Sequence, residues 1–180
     1  LAQFLSYSML GVCDLSTDGC FTLGCAVGSV VAINGHPVLA IFAAMGAGIL
    51  SGLITALLQT KLGVESLLAG IIVNTGLYTI NIVIMGRSTL SLNDSQTVFT
   101  LLQDLLEGTP LYEARKLIVA LLFVAVVVVL LLLFLNTRLG LSIRATGNNP
   151  DMVKSSSINP ALMITIGLCL SSAITALAGC

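Results

Sequence analysis

Apolar residues run along this chain in long blocks separated by short polar breaks. The first block, residues 1–13 (LAQFLSYSMLGVC), is apolar with scattered hydroxyls, and it ends at Asp14-Leu15-Ser16-Thr17-Asp18-Gly19. Asp18 is expected to cap the helix that follows, over residues 20–33. Fourteen residues reach only about 21 Å at 1.5 Å each, against roughly 30 Å of hydrocarbon. This segment is therefore a half-span, or is continuous with a broken helix before it. Irregular backbone at membrane depth survives only where protein buries it or where it lines a wet cavity. Residues 14–19 thus read either as an element of a solute pathway, with Asp14 and Ser16 as its polar groups, or as an ordinary polar loop at the membrane surface.

Longer blocks follow. Asn34-Gly35-His36-Pro37 is a turn with proline opening the next helix. Pro37–Thr60 is long enough to span, and Ala40, Ala44, Gly48, Gly52 and Ala56 recur every four residues along it. Such a small-residue stripe lets another helix approach closely. After a tight loop at 61–65, Ser66–Met85 forms a second span. It carries Asn74, Tyr78, Asn81 and Met85 at helical spacing on one face. Asparagine is costly against lipid, so this face is expected to turn inward, as interhelical hydrogen bonds or as the polar wall of a path. Residues 86–113 make the main hydrophilic loop. Val98, Leu101, Leu102, Leu105 and Leu106 give it an amphipathic stripe opposite Gln103, Asp104 and Glu107. Residues 117–135 (LIVALLFVAVVVVLLLLFL) hold no polar residue and no glycine. A helix apolar all round has no reason to face a path and should meet lipid. A polar stretch at 137–159 precedes a last apolar block at 160–180.

Composition narrows the class further. Of 180 residues, 57% are hydrophobic and 8% charged, with a mean hydropathy of +1.08. Soluble domains carry about 25% charged residues, so too few charges are present here to coat a water-facing surface. An all-α, polytopic transmembrane helix bundle is the class that remains. The net charge of −1 offers no basic surface for nucleic acid. The chain begins at Leu1 and stops at Cys180 within an apolar run, which reads as part of a single membrane domain truncated at both ends. Loops 61–65 and 137–159 share one side and carry Lys61, Arg138, Arg144 and Lys154; the loops at 34–36 and 86–116 carry Arg87, Arg115 and Lys116. By this margin the first side is expected to be cytoplasmic.

Catalytic and cofactor chemistry find no foothold. No G-x-x-x-x-G-K-[ST], H-E-x-x-H or G-x-S-x-G occurs. Cys13, Cys20, Cys25, Cys169 and Cys180 match no zinc spacing. No catalytic residue, metal ligand set or cofactor is expected. No Asp, Glu, Lys or Arg lies within a whole span, which counts against an ion-coupled carrier.

The polar stretch holds the most specific signal, Arg144-Ala145-Thr146-Gly147-Asn148-Asn149-Pro150-Asp151-Met152-Val153-Lys154-Ser155-Ser156-Ser157-Ile158-Asn159. Asn149 can cap, Pro150 suits the first helical position, and Asp151 favours a first turn. A two-turn helix is expected between two membrane helices, presenting side chains to the cytoplasm. This segment resembles the R-A-x-G-x-N-P…I-N cytoplasmic loop of permease subunits of ATP-binding-cassette importers in the branched-chain amino acid, ribose and nucleoside group. "DLSTDG" followed by "FTLGCAV" is similar to that group's D-L-S-x-x-G element, and "LLAGIIVNTGLYTINIVIMGR" resembles its branch for aromatic or other amino acids.

The resemblance implies a multi-pass subunit of the cytoplasmic (inner) membrane, embedded in lipid. It would pair with a second permease copy, as a homo- or heterodimer, and work with an ATP-binding cassette subunit and an extracytoplasmic solute-binding protein. ATP hydrolysis would belong to the partner chain. Residues 144–159 map onto the coupling loop, with Arg144, Gly147, Asn149, Pro150, Asp151, Met152, Val153, Lys154 and Asn159 as its matching positions. Serines 155–157 stand where the family prefers alanine and glycine, which lowers helix propensity by roughly a few tenths of a kcal/mol each. The solute is expected to be small and polar, an amino acid or else a sugar or nucleoside. An ion-coupled carrier and a non-transporting scaffold are the competing readings, and neither requires the 144–159 loop.

Overall fold

The computed structural model describes residues 2–11, 13–34, 36–86 and 115–180. The expected amphipathic stripe at 98–106, and most of the 86–113 loop, lie outside the described residues. Within them every regular element is a helix, with no strand. Helix α1 (Ala2–Phe4) runs into a π-helical turn at Leu5–Met9; α2 (Thr17–Ile33), α3 (Pro37–Thr60) and α4 (Ser66–Met85) follow. After the long loop come α5 (Arg115–Leu135), α6 (Arg138–Asn148), the short α7 (Pro150–Ser155) and α8 (Pro160–Gly179). Helices α3, α4 and α8 are each long and apolar enough to cross a membrane. Helix α8 reaches that length by Gly179, so the last apolar block is already a potential span.

The centre of the bundle is a three-helix junction of α2, α3 and α8 built from small residues. Ala40, Ala44 and Ala56 are buried on α3. A Cβ at Gly48 would lie 2.6 Å from the Ser172 carbonyl oxygen, and one at Gly52 2.9 Å from the Leu168 carbonyl oxygen. A Cβ at Gly24 of α2 would collide with the Ala176 backbone, and one at Gly179 of α8 with the Phe21 carbonyl. The Cys25 thiol donates to the Gly179 carbonyl at 2.7 Å. Lipid tails are as apolar as leucine, so van der Waals contact and such bonds must supply association, and both need closely spaced backbones. The every-fourth-residue stripe is therefore the seam of the fold.

Pairing along the seam sets direction. Residue 48 meets 172–176 while 52 meets 168–172, so α3 and α8 are antiparallel. Gly24 meets Ala176 and Gly28 meets Cys180, so α2 runs parallel to α8. Gly19 meets Asn74, and Asn81 bonds Thr22, so α4 is parallel to α2 as well. The loops at 61–65 and 156–159 therefore share one end of the bundle, as the charge reading required.

Helix α2 begins three residues earlier than the sequence pattern suggests, and Asp18 is not its cap. Ser16 holds the N-cap position without a side-chain cap bond, and Asp18 falls in the first turn. At 17 residues, α2 is about 25 Å long, while the 24 residues of α3 reach about 36 Å. Helix α2 thus starts inside the bundle. A Cβ at Gly70 would sit 2.9 Å from the Leu15 amide nitrogen, which puts the break about 6 Å in from the first residue of α4.

Helix α5 is exposed along most of its described length, with Leu131 its buried contact. It bends by 78° into α6. Helix α6 is a separate element that the hydrophobic pattern of 137–159 does not mark. Its buried positions are Gly140, Ile143 and Thr146, a stripe with one large apolar residue and therefore a faint periodic signal. Ile143 closes a small core with Leu10, Ala56 and Leu168, and Gly147 lies against the Met9 backbone. Helix α6 therefore lies over the loop end of the bundle.

Two glycine substitutions on adjacent helices separate seam from surface. Gly24→Ala should cost at least about 2 kcal/mol by driving α2 away from α8. Gly46→Ala, whose Cβ meets nothing within 4 Å, should be neutral or gain up to about 1 kcal/mol. Melting temperatures of the full-length protein in detergent check both.

Candidate functional site

Two polar groupings interrupt the apolar interior. The first surrounds the break before α2. Asp14 is 6% exposed, and its Oδ1 accepts the Ser16 amide at 2.9 Å and the Ser16 hydroxyl at 2.6 Å. Ser16 is fully buried, and the Thr55 hydroxyl of α3 reaches its Oγ at 3.5 Å. The Thr17 hydroxyl donates to the Asp14 carbonyl at 3.3 Å and accepts from the Gln3 amide at 3.3 Å. One turn on, the Cys20 thiol and the Ser51 hydroxyl lie 3.0 Å apart, and the Ser171 hydroxyl donates to the Ala2 carbonyl at 2.9 Å. Polar groups at membrane depth must be satisfied by protein or water. This cluster supplies most of that satisfaction where the chain is non-helical at residues 13–16, while Asp14 Oδ2 stays buried without a partner among the described residues. Asp14 and Ser16 are thus closed in against each other and against α3.

The second grouping lies between α2 and α4. Asn81, 6% exposed, donates its amide to the Thr22 hydroxyl at 2.8 Å, and its Oδ1 has no partner among the described residues. Asn74 is half-buried against Gly19. Tyr78 is 68% exposed, on the outer flank of α4 and away from the Asp14 cluster. The five residues singled out in the sequence therefore divide: Asp14 and Ser16 in the closed cluster, Asn74 and Asn81 at the α2–α4 seam, and Tyr78 on its open side. Thr22 and Thr55 complete the two groupings. Hydroxyls on apolar helices carry no distinctive pattern, so no sequence signal marked them.

At the loop end, α7 is built as a short rigid element. Asn149 Oδ1 accepts from the Asp151 and Met152 amides at 3.1 and 3.2 Å, with Pro150 at the first helical position. The helix closes at Ser155, shorter than two turns. Ser157 turns the chain at a φ of 61°, and Asn159 Oδ1 caps α8 by accepting from the Ala161 amide at 3.0 Å. Val153 is 4% exposed and anchors α7, whereas Met152 is 69% exposed. Asp151 and Lys154 form a solvent-exposed pair at 3.6 Å. Arg144 is exposed on α6 and Gly147 is packed beneath the N-terminal segment. A cavity of about 430 Å³ separates α7 from the ends of α3 and α4, lined by Gln59, Thr60, Ser66 and Lys154 among others. Among the described residues no group of three His, Cys, Asp or Glu could hold a metal ion.

The profile of a family described as branched-chain amino acid transport system / permease component matches residues 1–180. Over 180 residues the chain is 34% identical to a "Tyrosine transport system permease protein" of Clostridioides difficile, covering 99% of this chain and 57% of that protein. It is 32% identical to an uncharacterized protein of Rickettsia prowazekii, covering 99% of this chain and 60% of the relative. The chain thus spans about three fifths of the length of the curated relatives it matches. No solved structure matches it.

The closed cluster makes a stability prediction. Asp14→Ala leaves the Ser16 amide and hydroxyl buried without an acceptor and should cost about 2–3 kcal/mol. Asp14→Asn keeps an oxygen there and should cost less. Thermal melting of the two variants side by side gives the order.

Proposed function

Because the chain belongs to the family of permease components of branched-chain amino acid transport systems, we propose that it forms part of the membrane path of an ATP-driven importer for an amino acid. It would be a multi-pass subunit of the cytoplasmic membrane, paired with a second permease copy. An extracytoplasmic solute-binding protein would deliver cargo, and an ATP-binding cassette subunit would dock on residues 144–159. The relative named for tyrosine transport supports an amino acid as cargo.

The observation that carries this reading is the build of α7. A free six-residue helix would not hold together in water. Here Asn149 caps the N-terminus, the Ser156 amide closes the C-terminus on the Val153 and Lys154 carbonyls, and Val153 is tucked into the protein while Met152, Asp151 and Lys154 are exposed. Such an element can transmit a push without bending. Its route inward is physical contact. Helix α7 continues into α6 through Asn149, α6 presses on the N-terminal segment at Gly147, and that segment leads into the break before α2. Helix α2 then shares its polar seam with α4. In this reading Asn74, Thr22 and Asn81 line the path, and Asp14 with Ser16 braces the backbone that must move. No step of chemistry falls to this chain. ATP supplies the energy on the partner, and the chain's part is to alternate between packed arrangements.

Met152 and Val153 should respond differently to the same charge. Met152→Asp should abolish co-purification of the ATPase subunit and ATP-driven uptake while leaving melting unchanged. Val153→Asp, which buries an unpaired carboxylate, should lower the melting temperature itself. Wild-type uptake and co-purification in Met152→Asp would remove the docking assignment.

A further inference from the structure

Asp18 lies outside both the closed cluster and the coupling loop. It is in the first turn of α2 and is exposed. Its depth follows from its neighbour: a Cβ at Gly19 would lie 2.6 Å from Asn74 Oδ1 and 3.2 Å from Asn74 Cα. Asn74 is eight residues from Ser66 and eleven from Met85, so Asp18 lies about 12 Å from one end of α4 and about 16 Å from the other. A carboxylate exposed at that depth cannot face hydrocarbon. This flank of the α2–α4 ridge therefore meets water or protein.

The flank is rich in acceptors. The Thr22 hydroxyl donates toward the Asp18 and Gly19 carbonyls at 3.2 and 3.0 Å, and is itself the acceptor for the Asn81 amide. That bond fixes Asn81, whose buried Oδ1 remains unpartnered among the described residues. Asn74 and the exposed Tyr78 continue the same side of α4 at helical spacing. Among the described residues the one ion pair is Lys154 with Asp151, so no described cation answers Asp18. A carboxylate and the unpartnered Asn81 oxygen suit a positively charged hydrogen-bond donor. A first-turn acid also complements the helix dipole, but that role does not need a charge at mid-depth on an open flank.

We infer that Asp18 receives the ammonium group of the cargo amino acid during passage, with the Asn74 and Asn81 amides beside it. This rests on the amino acid importer reading above, and deepens it by assigning the charge-recognising residue.

The test uses the full-length permease with its ATPase and binding protein in proteoliposomes, with L-tyrosine as the probe. Asp18→Asn should lower ATP-driven uptake by about tenfold or more, the scale of a lost charge contact. Asp18→Glu should retain most of it, and melting temperatures should match wild type in both. In Asp18→Cys, a negatively charged sulfonatoethyl thiol reagent should restore uptake and a trimethylammonioethyl reagent should not, each measured against treated wild type. Wild-type uptake by Asp18→Asn overturns the inference and leaves the importer reading standing. So does an equal effect of the two reagents, or a parallel loss of uptake and melting temperature in Asp18→Asn and Asp18→Glu. If the wild type moves neither L-tyrosine nor any other amino acid, the importer reading fails and the inference falls with it.

Discussion

Close backbone contact among α2, α3 and α8 is the constraint from which the rest of this structure follows. Water drives apolar faces together in soluble proteins, but between lipid-solvated helices that force is absent. Helices here hold by dispersion and a few polar bonds, and both fall off within an ångström. Gly24, Gly48, Gly52 and Gly179 remove the side chains that would keep the backbones apart. The Cys25 thiol reaching the Gly179 carbonyl is possible only at that spacing.

The seam also fixes depth. Because Gly24 must meet Ala176 and Gly28 must meet Cys180, α2 is positioned along α8 and begins inside the bundle. The chain before it is then forced to be non-helical where no water is guaranteed. Asp14, Ser16, Thr17, Gln3 and Thr55 answer most of that need with mutual hydrogen bonds, leaving Asp14 Oδ2 unpartnered among the described residues. A break held by hydroxyls and one carboxylate is a weaker joint than a continuous helix. In the importer reading proposed above, in which the chain alternates between two packings, such a joint is where motion would cost least. The same positioning leaves Asp18 about 12 Å in from the loop end of α4, a consequence of packing that no local property of Asp18 requires.

At the loop end the structure couples rigidity to reach. Helix α6 is locked by Ile143 in a core with Leu10 and Leu168, and α7 is locked to α6 through Asn149. A displacement of one therefore cannot be absorbed locally. The serines at 155–157 lower helix propensity where α7 ends, and Ser157 adopts the left-handed conformation there. They mark the stop of the short helix and the turn into α8.

The sequence by itself determined the class, the spans and the connectors. Blocks of apolar residues fix spans because hydrocarbon thickness and helix rise are constants. The stripe from Ala40 to Ala56 announced its seam, and Asn149-Pro150 and Asn159-Pro160 announced their caps, since these are local rules of backbone hydrogen bonding. Tertiary structure decided the rest. Helix α6 has one large buried apolar residue, so its burial depends on what lies beneath it and leaves little periodicity to read. Asn74, Tyr78 and Asn81 share a helical face, yet Asn81 is buried and Tyr78 is open, because the edge of α2 falls between them. Asp18 looked like a cap because capping is a local rule. Its depth and exposure come from where α8 and α4 hold α2, and contacts so distant in sequence leave no mark on neighbouring residues.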